Sequence, residues 1–327
     1  MKRIRIVGVC LVAACAFSMV MVASASAIAP EFGRCINVGA EGKQGSFIAP
    51  AEPGKSPECT TTSTEASKNV YEWFPAFGPS KKWGERPAVK KEFTSHMTST
   101  LATLEGEPAP GKTNGVQISC KHQKLTHNAL ITGKKTVAKI QATYTECASS
   151  GVGCQSAGAA AKEIVTTELG AVLGLQSGTK PAATDKVASL IFPATPKGPL
   201  AEFECTNILK VRVKGDILHP ATVNKMLLKA TEKFTATKGE QKPSKFSAKG
   251  EPLAAEACQP EGLEEVGGVK PKDKTVAEEE VNGVKECDNH NLISKLALSE
   301  AANYEESGQS QTNVTEDEEK LEISNKL

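Results

Sequence analysis

Between about residues 92 and 236 the apolar side chains recur mostly at every second position, the period of a half-buried β-strand. Leu209-Lys210-Val211-Arg212-Val213-Lys214 shows it most clearly: the apolar residues share one face and the three cations share the other. The same alternation predicts strands over 93–104, 116–120, 137–144, 164–169, 187–192 and 200–205, with turn signals at Asn114-Gly115, Gly133, Gly151, Gly178, Gly198 and Gly215. Strands this numerous and turns this frequent predict a mainly β chain with an antiparallel β-sandwich or barrel-like core. Two short runs, 157–162 and 223–232, read instead as short helices.

The flanks differ from this body. Residues 28–68 are crowded with Pro and Gly, so little regular structure is expected there, although Tyr71-Glu72-Trp73-Phe74 has β propensity. Residues 251–327 are acidic and poor in aromatics. They read as a partly helical or flexible insertion, with near-helical spacing over 288–304 and a final strand near 320–324. The expected domains are therefore a disulfide-stapled β-rich unit at 28–250 and an acidic C-terminal insertion at 251–327.

The start of the chain fits an export signal. Lys2, Arg3 and Arg5 precede an apolar stretch over 6–22, and Ala25-Ser26-Ala27 supplies the small-x-small cleavage site. The stretch falls short of the roughly 20 residues that span a bilayer, so residues 1–27 read as a cleaved signal peptide with no membrane span left afterwards. A minor alternative is a lipoprotein anchored at Cys15, in Val12-Ala13-Ala14-Cys15. The expected location is extracellular or cell-wall associated.

Charge divides the chain. Overall it is +1, yet residues 81–250 hold 25 Lys and Arg against 13 Asp and Glu, and residues 251–327 hold 7 against 19. The basic middle raises an anionic polymer as a partner, with Lys210, Arg212 and Lys214 as a candidate anion-binding stripe. Aromatics make up only 5% of the chain, too few for extensive base stacking. The acidic tail could fold over the basic body or meet another copy of the chain.

Eight cysteines follow the signal: Cys35, Cys59, Cys120, Cys147, Cys154, Cys205, Cys258 and Cys287. An even number in an exported chain implies disulfides. Cys147 and Cys154 flank a short Gly-containing loop, which suggests a local bridge. Cys120 and Cys205 each end an alternating run in phase with its apolar face, which suggests that they meet in the core. Cys35–Cys59 and Cys258–Cys287 complete the simplest pairing. Zinc would need closer Cys or His pairs than this spacing offers, so no metal or cofactor is expected.

Chemical motifs fail on inspection. Gly106-Glu107-Pro108-Ala109-Pro110-Gly111-Lys112-Thr113 matches the phosphate-loop pattern, but two prolines remove N–H donors and a strand, not a helix, follows; a long hairpin loop is expected. There is no G-x-S-x-G elbow. Carboxylate runs such as Glu278-Glu279-Glu280 sit in polar stretches and read as solvated faces. No catalytic residue is assigned, although a secreted hydrolase with a spatially assembled site stays open as an alternative.

Pro30-Glu31-Phe32-Gly33-Arg34-Cys35, Tyr71-Glu72-Trp73, and Cys147-x6-Cys154-x-Ser156-x-Gly158 followed by Glu163-Ile164-Val165-Thr166 resemble a group of secreted proteins of soil actinobacteria that often occur as several related copies. The later Asn224-Lys225 and Gly239-x-Gln241 fit the same group. The resemblance spans about residues 30–246 and the last strand. It implies export, β-rich structure and the cysteine loop, and nothing catalytic. The expectation is a non-enzymatic binding or cell-envelope structural protein.

Overall fold

The computed structural model describes residues 30–49, 59–75, 91–106, 115–176, 187–195, 198–206, 209–214, 216–223, 225, 227–236, 246–247, 278–281, 284–287, 295–296 and 305–324. The export signal and Cys258 lie outside these residues, as does most of the 251–304 segment.

The chain is mainly β and antiparallel, as the alternation predicts. It opens with β1 (Glu31–Asn37), β2 (Phe47–Ile48) and β3 (Asn69–Pro75). Eight long staves then follow one another, most of them broken at bulges or corners. The first is β4 (Lys91–Met97) with β5 (Ala102–Gly106); the second is β6 (Gln117–Cys120), β7 (His122–Leu125) and β8 (Ala129–Ile131). The third is β9 (Thr136–Ile140), β10 (Ala142–Thr145) and β11 (Ala148–Ser149); the fourth is β12 (Val152–Gln155), β13 (Ile164–Val165) and β14 (Leu169–Gln176). The fifth is β15 (Val187–Pro193) with β16 (Ala201–Cys205), the sixth β17 (Leu209–Val213) with β18 (Ile217–Pro220), and the seventh β19 (Leu227–Ala236). Short pieces intervene at β20 (Phe246–Ser247), the hairpin β21 (Glu278–Val281) and β22 (Val284–Cys287), and β23 (Lys295–Leu296). The eighth stave is β24 (Glu305–Ser324).

Each stave pairs with its successor: Phe93 with Ala129, Ile131 with Val137, Val137 with Ala171, Leu173 with Ser189, Ser189 with His219. β24 pairs with β19 on one edge and returns to the first stave on the other, with Asn313 opposite Met97 and Ser310 opposite Thr103. The sheet thereby curls round into a barrel. One joint differs. Among the described residues no ladder joins β18 to β19, although the two strands lie side by side.

The pleat sorts the residues. In β7, Gln123 and Leu125 are buried inside while His122 and Lys124 face water. In β15 five consecutive residues are buried, because Val187 and Ile191 belong to the interior and Ala188 and Leu190 to a second cluster on the outer face with Val172 and Leu218.

Two helix expectations fail. Residues 157–162 form turns, closed by Ala159 N–H on the Ser156 carbonyl and Glu163 N–H on the Ala160 carbonyl. Most of the 223–232 run belongs to β19, where β24 offers a ladder from Lys229 to Ala236 that outweighs local propensity. The final strand is also far longer than the expected 320–324: β24 runs for 20 residues and is a full member of the barrel.

Cys35–Cys59 forms as expected. The other two bridges are Cys120–Cys147 and Cys154–Cys205, not Cys147–Cys154 and Cys120–Cys205. Strand order explains the correction. β11 and β12 stand between β6 and β16, so Cys120 and Cys205 are three strand spacings apart, about 14 Å, well beyond the ~7 Å limit for a bridge. Each edge of the β11–β12 hairpin is stapled instead to its outer neighbour, with Cα separations of 4.0 and 3.9 Å. Cys258–Cys287 falls outside the described side chains.

The N-terminal strands cap one end. β1 pairs with β3 and with the tail of β24, and Phe32 joins the barrel core. Glu31 accepts a hydrogen bond from Trp73 Nε1 at 2.9 Å and lies 3.5 Å from Lys134 Nζ on the β8–β9 turn.

Candidate binding cavity

The inward residues do not fill the barrel. They enclose a cavity of about 180 Å³. Leu125, Ile131, Val137, Leu169, Ile191 and Ile217 make its apolar wall. The opposite wall is β24, whose inward positions Gln309, Gln311, Asn313, Thr315 and Asp317 are all polar before Leu321 and Ile323 turn apolar again. Thr222 and Lys225 also line it and are exposed, so the cavity reaches solvent at the connection between β18 and β19.

Hydrogen bonds tie most of the polar wall together. Tyr144 donates to Gln311 Oε1 at 3.1 Å; burial raises the phenol's pKa, and this bond partly offsets it. Thr315 donates to Glu232 Oε2 at 2.8 Å, and Asn313 Nδ2 donates to Ser95 Oγ at 3.4 Å. Two buried atoms are left over: Gln123 Oε1 and Asn313 Oδ1 have no partner, on residues only 5% and 4% exposed. An unmet buried acceptor costs about 1–3 kcal/mol, which a donor arriving in the cavity would recover. Asp317 adds acid character: burial, and then the Glu232 carboxylate, push its carboxyl up to about 7.

The remaining candidates are less suited to chemistry. Ser189 and His219 are paired across β15 and β18, but no hydrogen bond joins them; His219 Nδ1 lies 3.3 Å from the Pro220 carbonyl oxygen. No nucleophile–base pair is therefore formed there. Among the described residues no cluster of His, Cys, Asp or Glu could hold a metal ion. The cationic stripe of β17 meets carboxylates from β16: Arg212 Nε pairs with Glu202 Oε1, and Glu204 stands opposite Lys210; Lys214 is half-buried at the strand's end. The phosphate-loop look-alike joins β5 to β6, with Gly106 N–H on the Val116 carbonyl, so the strand-to-strand context holds.

Sequence reasoning did not find Gln123, Glu232, Asn313 or Asp317. The available signal was the spacing of Gln309, Gln311, Asn313, Thr315 and Asp317, but their outward neighbours are mostly polar too, so hydropathy shows no alternation. The three disulfides fit an oxidising compartment, and no helix among the described residues is long and apolar enough to cross a membrane. No protein-family model matches the chain, and neither a curated protein sequence nor a solved structure does.

Proposed function

We propose that the chain is a secreted, non-enzymatic binding protein that retains a small amphipathic molecule inside its barrel. One observation carries the reading: a largely apolar cavity whose polar wall leaves Gln123 Oε1 and Asn313 Oδ1 unsatisfied. Pockets with apolar lining and a few convergent polar groups are the usual form of a small-ligand site. Binding is favoured over hydrolysis because the wall holds acceptors and acids without an assembled nucleophile.

The test is methyl NMR of the isoleucine-labelled full chain titrated with toluene. Ile131, Ile191 and Ile217, which line the cavity, shift on titration, whereas Ile36 and Ile48 of the N-terminal sheet do not. Ala171→Phe fills the space and abolishes the shifts while the rest of the spectrum persists. A folded protein whose cavity methyls ignore toluene overturns the reading.

A further inference from the structure

We propose that the ligand carries a cis amide, the edge of a lactam or a primary carboxamide, on an apolar body, and that this edge pairs with the side-chain amide of Gln123. The inference rests on the barrel being a binding protein and adds the class of ligand.

Gln123 is 5% exposed and lines the cavity from β7. Among the described residues no hydrogen bond reaches either end of its side-chain amide, neither Oε1 nor Nε2. Turning the amide over therefore changes nothing: one acceptor end and one donor end stay unmet. The neighbours explain why. On β10 the cross-strand partner is Tyr144, whose hydroxyl is committed to Gln311. On β4, one position along from the His96–Lys124 pair, stands Met97, which offers only a thioether. Leu125, next on the same face of β7, is apolar. Asn313 lies a strand beyond Met97 and spends its Nδ2 on Ser95. A buried primary amide thus stands on the wall of a cavity with nothing beside it to answer either of its ends.

The chemistry of the match is specific. A primary amide presents an acceptor and a donor side by side on one edge. A cis amide presents the same pair in reverse order, so its N–H donates to Gln123 Oε1 while its carbonyl accepts from Nε2. Both ends are then met at once. An open-chain secondary amide is trans, with N–H and C=O on opposite edges, and meets only one end. A ketone meets Nε2 alone. A carboxylate brings no donor and would share the cavity with the Glu232 side chain. The apolar body of the ligand faces Leu125, Ile131 and Val137. A dry cavity of about 150 Å³ accommodates benzene, so one of about 180 Å³ holds one small ring.

The experiment extends the isoleucine-methyl titration of the full chain to caprolactam and cycloheptanone, with toluene as the apolar reference. Each ligand is measured on wild type and on Gln123→Met, which keeps the length of the side chain and removes both polar ends. Comparing the two proteins cancels each ligand's own hydration. Relative to toluene, caprolactam loses about ten-fold or more in affinity in the variant, and cycloheptanone loses less. Gln123→Leu gives the same result, and toluene bound by either variant shows that the cavity stands. A caprolactam-to-toluene ratio that both variants leave unchanged overturns the amide assignment, as does cycloheptanone falling as far as caprolactam. Wild type that binds toluene without caprolactam also overturns the assignment alone, whereas neither bound overturns the cavity reading as well.

Discussion

Asp317→Asn should make the protein more stable at alkaline pH, although it removes an ionisable group. The folded protein raises this carboxyl from its ordinary 3.8 to about 7, through burial and then the Glu232 carboxylate. The neutral form is therefore the one the fold prefers. The acid's contribution to stability is complete below about pH 4 and is lost as pH climbs through about 7. Roughly three pH units at ~1.4 kcal/mol each set the loss at up to about 4 kcal/mol by about pH 8. Asparagine has the shape of the neutral acid and cannot ionise. Urea denaturation followed by tryptophan fluorescence should find wild type and variant equal near pH 4, with the variant pulling ahead steadily up to about pH 8. Taking the difference between the two proteins cancels the exposed carboxylates Glu146 and Glu316, which Lys121 and Lys229 shift the opposite way. A difference that stays flat with pH, or a variant weaker at the alkaline end, would refute the burial of Asp317 within reach of the Glu232 charge.

Non-reducing peptide mapping should recover Cys120 linked to Cys147 and Cys154 linked to Cys205; a Cys147–Cys154 peptide would contradict the strand order. Replacing Cys154 and Cys205 together by serine removes a loop of 51 residues and should cost about 4 kcal/mol on the chain-entropy account. A loss under about 1 kcal/mol would sink that account. Gly33→Ala should loosen the N-terminal cap, since a Cβ there would strike the Trp73 ring and come within 2.6 Å of the Phe74 carbonyl oxygen. Limited proteolysis should then release the segment before β4 while the barrel survives, and unchanged protection would count against the docking.

Legibility followed hydrophobicity. β15, β16 and β17 could be read directly, because one or both of their faces are apolar. β24 could not, because its inward face is the polar wall of the cavity and most of its outward face meets water; period two survives in the geometry but not in hydropathy. β19 suffered similarly, with Glu232 turned inward between Ala230 and Phe234. The bridges failed for another reason. Phase along a strand correctly placed Cys120 and Cys205 in the core, but phase says nothing about which strands intervene, and β11 and β12 do. The proposed site went unread because Gln123, Glu232 and Asn313 come from three distant parts of the sequence and fall into one row only when the last strand closes on the first.

The joint between β18 and β19 gives the closed barrel a preferred direction of breathing. Every other joint is crossed by peptide hydrogen bonds, each worth about 1 kcal/mol net, and must break several of them to part. Here, among the described residues, no ladder has to break. The two core bridges reinforce the contrast, because they fasten the second stave to the third and the fourth to the fifth, and leave this joint untied. In the proposed binding role, a guest would come and go through a wall that stays folded, with a residence time set by how often this joint parts rather than by the lifetime of the fold.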